Sequence, residues 1–337
     1  MKNSKKFCRK PSDAGLILLA IVLLPAVFLL NLSLGASGLS SGELFQALIN
    51  GPDTTAAGRI LWYVRLPRIA ATMLAGAGLS VSGVIIQKIL DNPLASPGII
   101  GINTGAGLAV TICCALGSYF PWIIAGSAFF GAILSAFLVV FAAQKSGASR
   151  TTVLLGGVAV SSCLSAVREA LITLVPGAGV SSADFRMGGF SAVDSARLLP
   201  AAVMIIAGIT AVSTLVNDME ILSLGDETAH TLGVRTAFTR NLLLVLAALL
   251  AGASVSFAGC LSFVGLIVPN LTRLLTGGES GKQVLFGGLF GAAFVSLCDL
   301  AARMMFAPYE MPAGIFISVI GGPFFIWLLF KRKGKRR

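Results

Sequence analysis

The residues able to do chemistry are few and scattered. Gly281-Lys282 looks superficially like the end of a phosphate-binding loop, but that loop needs a glycine five positions earlier and a Ser or Thr after the lysine; Thr276 and Gln283 stand there instead. No GxSxG, HExxH or CxxC occurs, so an elbow nucleophile, a zinc-binding helix and a redox dithiol are all missing. Of the six cysteines, Cys113, Cys114, Cys163, Cys260 and Cys298 lie in apolar runs without metal-ligand spacing and read as small packing residues. His230, the one histidine, has no ligand partners nearby in sequence. The chain is therefore not expected to be an enzyme or to hold a metal.

Two carboxylates border apolar stretches, and each has an arginine close by: Glu169 follows Arg168, and Asp299 precedes Arg303 by one helical turn. Acidic groups at membrane depth can carry protons, which keeps a proton-coupled secondary transporter open as an alternative. Both pairs can equally be neutralised structural groups.

The elements that would position these residues follow from composition. Of 337 residues, 56% are hydrophobic and 12% charged, where soluble domains carry about 25% charged residues. Uncharged windows at 14–42, 69–87, 92–144, 151–167, 198–217, 241–272, 283–298 and 311–330 fill most of the chain, and a bilayer-spanning helix needs roughly 20 apolar residues. A signal peptide is the competing reading of residues 1–34, but no cleavage site followed by a soluble domain supports it. The net charge of +11 is concentrated in the basic segments 1–13 and 331–337. These predict cytoplasmic termini rather than nucleic-acid binding.

Two cytoplasmic termini require an even number of crossings. Window 92–144 breaks at Gly117-Ser118-Tyr119-Phe120-Pro121 and window 241–272 at Gly259, Gly265 and Pro269. The expectation is an all-α, polytopic membrane protein forming a single domain over 1–337. Its ten spans fall near 14–34, 67–90, 98–116, 122–143, 151–174, 198–216, 241–259, 262–272, 283–305 and 311–330. An internal repeat supports this count: at an offset of 176, eight of the twenty positions 74–93 are identical, including Gly76/Gly252, Ser80/Ser256, Gly83/Gly259 and Pro93/Pro269. The copies lie on spans two and seven, five crossings apart, so spans 2–5 and 7–10 are expected to form inverted halves around a central path.

On this topology every lysine is cytoplasmic, while Arg59, Arg65, Arg68, Arg168, Arg186, Arg197 and Arg303 gather at the outer face. Arginine's planar fork suits carboxylates on a partner or ligand. The longest hydrophilic stretch, 217–240, is predicted to hold two short cytoplasmic helices punctuated by Gly225 and Gly233, suited to docking a partner. Ser161, Ser162, Ser165 and Thr173 on span five are the candidate polar wall of a path.

At this level the residues resemble a known family. Arg65-Leu66-Pro67-Arg68, Gly76-Ala77, Ser82-Gly83, Gln87, Asn92-Pro93-Leu94-Ala95, Pro97 to Gly101, Met187-Gly188-Gly189, Leu224 to Glu227, Phe263 to Pro269, Glu310 to Gly314 and Pro323-Phe324-Phe325 are similar, in order and spacing over roughly 60–330, to FecCD-type permeases. These are the membrane subunits of ATP-binding-cassette importers for iron-siderophores, haem and cobalamin. The resemblance implies alternating access in a permease dimer, expected to be a homodimer, with the path at the interface. Two cytoplasmic ATPase subunits would bind ATP and magnesium, leaving no cofactor in this chain, and an extracytoplasmic binding protein would deliver a siderophore first, haem or cobalamin next. Leu224, Gly225, Asp226, Glu227, Ala229, Leu232, Gly233 and Val234 match the segment that couples to the ATPase. Arg65, Arg68 and Arg303 match positions that receive carboxylates of the binding protein. Asn92, Pro93 and Leu94, together with Ser161 and Ser165, are the expected path residues. Asn270 departs from the histidine many members carry.

Overall fold

The computed structural model describes residues 13–35, 40–145, 150–191, 193–307 and 309–333. Of the basic segments predicted at 1–13 and 331–337, residues 1–12 and 334–337 lie outside the described residues. Among the described residues every element is helical: α1 (Asp13–Ser33), α2 (Ser41–Asn50), α3 (Ala56–Ile60), a π turn (Leu61–Arg65), α4 (Leu66–Ile89), α5 (Ile102–Ala115), α6 (Pro121–Lys145), α7 (Arg150–Leu174), α8 (Pro176–Ser181), α9 (Ala183–Met187), α10 (Ser195–Thr214), α11 (Val216–Ser223), α12 (Asp226–Thr231), α13 (Thr236–Ala258), α14 (Val264–Thr276), α15 (Ser280–Met305) and α16 (Ala313–Lys333). Seven helices are long and apolar enough to cross a membrane, and α5, α14 and α16 contribute shorter apolar helices. The protein is an all-helical polytopic membrane protein. The short helices α2, α3, α8 and α9 were not expected, because each is too short to give an apolar window of spanning length; α2 nevertheless carries a capping box, Ser40 with Glu43.

Helix α4 is the centre of the bundle. Over its most apolar stretch 78% of residues are buried, against 6% for α7. Hydrophobicity does not drive helices together in lipid, so α4 recruits neighbours through small residues that let backbones approach. Gly76 meets the backbone of Gly291 on α15, where a Cβ on either residue would collide with the other helix. Gly78 faces Ser254 on α13, and the Ser82 hydroxyl donates to the Ala247 carbonyl across the same interface at 2.7 Å. Large apolar side chains such as Leu18, Phe130, Phe137 and Ile206 remain exposed on the outer helices, as a lipid-facing surface requires.

Two irregular segments interrupt the helices inside the bundle, and both have their backbone groups satisfied by protein. In 92–101, Asn92 N–H donates to the Gln87 carbonyl and Ala95 N–H to the Asn92 carbonyl, each at 3.0 Å. In 259–263, Cys260 N–H donates to the Phe185 carbonyl at 2.9 Å. Phe263 then starts α14 at φ 64°, a conformation costly for a bulky residue and held here by packing.

Candidate functional site

One end of the bundle collects the predicted arginines. The chain enters α4 through Pro67 in its first turn, where a missing N–H costs nothing, and this sets Arg65 and Arg68 beside the far end of α15. Arg68 forks onto Asp299, Nε to Oδ2 and Nη2 to Oδ1 at 3.0 Å each, and its Nη1 reaches Glu310 Oε2 at 2.8 Å. Arg303 lies 3.1 Å from Asp299 Oδ2 and donates to Asn31 Oδ1 at 2.9 Å, while Arg65 donates to the Leu32 carbonyl. The Asp299–Arg303 pair expected from their spacing is present, and all three arginines are largely buried. They border a recess of about 160 Å³ shared with Asn31, Gly35 and Glu310. Three guanidinium groups against the Asp299 and Glu310 carboxylates leave one formal positive charge, and Glu310 is the accessible acceptor, with 41% of its side chain exposed. Asn31 and Glu310 had no assigned role in the sequence; the signal for Asn31 was an amide inside an apolar span.

Helix α7 is the least covered long helix. Its exposed residues mix apolar side chains, Leu155, Val158, Val167 and Leu174, with Ser162, Cys163, Glu169 and Thr173, a polar content that the leucines and phenylalanines exposed on α1 and α6 do not have. Ser161 and Ser165 are half-buried; the Ser161 hydroxyl is enclosed without a partner and lies beside Gly101. Ser162, about 100° round the helix from Ser161, is on the exposed side. Glu169 keeps Arg168 as its partner, at 2.8 Å.

Asn92, Pro93 and Leu94 form a tight turn below α4. Leu94 N–H donates to Asn92 Oδ1 at 3.0 Å, and Asn270 Nδ2 donates to the Pro93 carbonyl at 2.8 Å. Asn270, given no role by its sequence, pins this turn to α14. Beside the turn, Ser96, Asn103, Thr104, Ser262, Phe263 and Phe325 border a recess of about 420 Å³.

At the opposite end from the arginine cluster, α11 and α12 form the two short helices predicted from glycine punctuation. Gly225 (φ 112°, ψ 156°) and Gly233 (φ 84°) take backbone angles that side chains resist. Ala229 is fully buried, whereas Leu224 and Leu232 are 63% and 58% exposed; Asp226 and Glu227 are exposed, and Asp226 pairs with Arg240. Val234 N–H closes the element onto the Ala229 carbonyl at 3.1 Å. Glu220 on α11 accepts from Ser280 N–H at 2.8 Å, from the Ser280 hydroxyl, and from Lys88 Nζ at 3.3 Å. Lys88 also donates to the Gly278 carbonyl. One carboxylate therefore ties α11 to the ends of α4 and α15. Partial burial pushes the Glu220 carboxyl up, but the hydrogen bonds from Ser280 and the Lys88 charge outweigh it and hold it below the usual carboxylate range.

Comparison with known proteins agrees with this architecture. The FecCD transport family model matches residues 21–331. The achromobactin transport system permease protein CbrC of Dickeya dadantii is 34% identical, over 96% of this chain and 93% of its own. The vitamin B12 import system permease protein BtuC of Shigella sonnei is 35% identical, over 94% of both chains. A solved chain described as an inward-facing conformation of a metal-chelate type ABC transporter superimposes with a TM-score of 0.84 at 28% identity, covering 94% of this chain and 99% of that one. An ABC importer of this class implies ATPase and binding-protein partners. The chain belongs to the FecCD transport family, as the multi-pass permease subunit, not itself an ATPase, of a bacterial ABC importer for iron chelates, haem or vitamin B12.

Proposed function

We propose that two copies of this chain form the permease, with α7 of each lining a shared path through which an iron-siderophore is imported by alternating access; haem and cobalamin rank next as substrates. The observation that carries this reading is the set of polar groups exposed on α7, Ser162, Cys163, Glu169 and Thr173. A carboxylate, two hydroxyls and a thiol exposed along a membrane helix cannot face lipid cheaply, and a water-filled path between two copies removes that cost. Ser161 and Ser165 border this wall, and Asn92, Pro93 and Leu94 narrow the path below it.

The chain is read as one transmembrane domain of ten crossings in the bacterial cytoplasmic membrane, α5, α14 and α16 completing the seven long helices. Both termini, 1–13 and 331–337, are assigned to the cytoplasm. Contact between Gly78 and Ser254 supports inverted halves, because positions 176 apart are repeat mates and mates meet where a local two-fold axis passes.

The segment 217–240 is assigned to coupling: exposed Leu224 and Leu232 beside Asp226 and Glu227 suit insertion into a cleft on each of two cytoplasmic ATPase subunits, which bind ATP and magnesium. Arg65, Arg68 and Arg303 are assigned to docking the extracytoplasmic binding protein, whose carboxylates would replace Glu310 as acceptors. The proton-coupled alternative loses its basis with the family assignment, and Asp299 is committed to two arginines.

The test is ATP hydrolysis in proteoliposomes holding the permease, its ATPase and its binding protein. Stimulation by the siderophore-loaded binding protein, with iron accumulating inside, is the expected result. Hydrolysis indifferent to a loaded binding protein across siderophore, haem and cobalamin would overturn the reading.

A further inference from the structure

Two further arginines, Arg168 on α7 and Arg186 on α9, lie apart from the docking cluster, beside the break between α13 and α14. Arg168 spends Nε and Nη2 on the same oxygen, Glu169 Oε1, at 3.2 and 2.8 Å. Its Nη1 lies beside Gly107 and Cys260 and donates to nothing among the described residues. Arg186 on α9 uses Nη2 on the Gly179 carbonyl at 3.2 Å, and its Nε is buried without an acceptor. Both guanidinium groups lie within electrostatic range of Glu169 and of the Cys260 thiol. Asp184, also on α9, is exposed and forms no ion pair with either.

Only Arg168 is ion-paired, to Glu169; Arg186 has no ion pair among the described residues, and Arg168 Nη1 is left as an unspent N–H donor at the edge of the exposed side of α7. Arg168 lies six residues before the end of α7, about 9 Å along the helix, so the charge is set inside the mouth and not on its rim. Fields in a confined, partly desolvated cleft are screened little and concentrate ions of opposite sign. Unpaired guanidinium N–H groups recognise carboxylates by paired hydrogen bonds.

We infer that Arg168 and Arg186 form an anion-reading site on the path wall, selecting metal chelates that carry free carboxylates over neutral or cationic ones. Glu169 is the resident counter-charge that an incoming carboxylate displaces. This rests on the reading of α7 as the path wall, and the test separates the two claims.

Cys163, exposed on α7 and five residues before Arg168, is a native reporter. In the permease–ATPase complex in lipid nanodiscs, its modification rate is measured with anionic sulfonatoethyl methanethiosulfonate and cationic trimethylammonioethyl methanethiosulfonate, using Cys163→Ser to subtract other thiols. The expected anion-to-cation rate ratio is well above that of a free thiol. It should fall about fivefold or more in Arg168→Gln and in Arg186→Gln and rise in Glu169→Gln, with Arg168→Lys retaining most of it. Ferric citrate is expected to protect Cys163 in the parent and not in the Arg168→Gln/Arg186→Gln double variant, while a neutral ferric trihydroxamate protects neither. A reactive Cys163 whose ratio ignores both arginines, or equal protection by both chelates, overturns the anion site alone. A Cys163 inert to both reagents overturns the path wall and this inference with it.

Discussion

Arg68 and Asp299, 231 residues apart in the chain, meet as a planar fork with both N–O distances at 3.0 Å. Their helices, α4 and α15, already touch through Gly76 and Gly291. The fork therefore locks the rotation and height of two helices whose glycine contact alone would let them slide.

Asp299 balances Arg68 and Arg303 together, and only about 1% of its side chain is exposed. Asp299→Asn leaves two buried guanidinium groups with Glu310 as the remaining carboxylate. Removing one partner of a buried pair costs about 3–5 kcal/mol, so the variant is expected to melt well below the parent in detergent, and Arg68→Gln/Asp299→Asn to recover part of that loss. An unchanged melting temperature in the single variant would remove the locking role.

Gly225 has open space where a Cβ would sit, yet its φ is 112°. Gly225→Ala is thus strained by backbone alone, at about 1–3 kcal/mol, and the strain falls between α11 and α12. The expected outcome is normal insertion and basal ATP hydrolysis with uptake reduced severalfold, read by paired ATPase and transport assays. Parent-like coupling would argue against this element as the contact with the ATPase.

Gly76 and Gly126 make a matched pair for the bundle itself. A methyl group at Gly76 strikes the Gly291 backbone, whereas none of the described atoms lies within 4 Å of one at Gly126. Gly76→Ala is expected to cost about 1–3 kcal/mol through overpacking and to broaden the size-exclusion profile; Gly126→Ala should leave both stability and profile intact.

Glu220 sets a pH dependence for the coupling end. Its carboxyl is held below the usual range in the folded protein, so its contribution is fully present above the unfolded carboxylate value and is lost as pH falls through the lower folded value. Hydrogen exchange of the Val216–Ser223 amides is expected to accelerate on acidification at the low end of the carboxylate range. In Glu220→Gln the exchange should be faster at neutral pH and insensitive to that titration. A parent profile flat down to pH 3, on a scale where free Glu titrates at about 4.3, would contradict the tie to Lys88 and Ser280.

Much of the protein was legible one residue at a time. The cost of placing each side chain in hydrocarbon is local and additive, so the windows located every long helix and the three short apolar ones. Glycine punctuation likewise located α11 and α12, because positive φ is a property of single residues. The short helices α2, α3, α8 and α9 escaped, since none is long enough to register as an apolar window, although Ser40 and Glu43 signalled the start of α2.

Pairings and faces were decided only in three dimensions. Nothing local links Arg68 to Asp299 and Glu310, Asn270 to the Pro93 carbonyl, or Glu220 to Lys88 and Ser280; each depends on which helix becomes a neighbour. The same holds for α7, where Ser161 and Ser162 are indistinguishable in composition yet one is enclosed beside Gly101 and the other open. Sequence by itself determined what must lie in the membrane, because burial in lipid is a free energy per residue. The tertiary structure decided which polar groups meet and which face stays uncovered, because those energies belong to pairs of residues that only packing brings together.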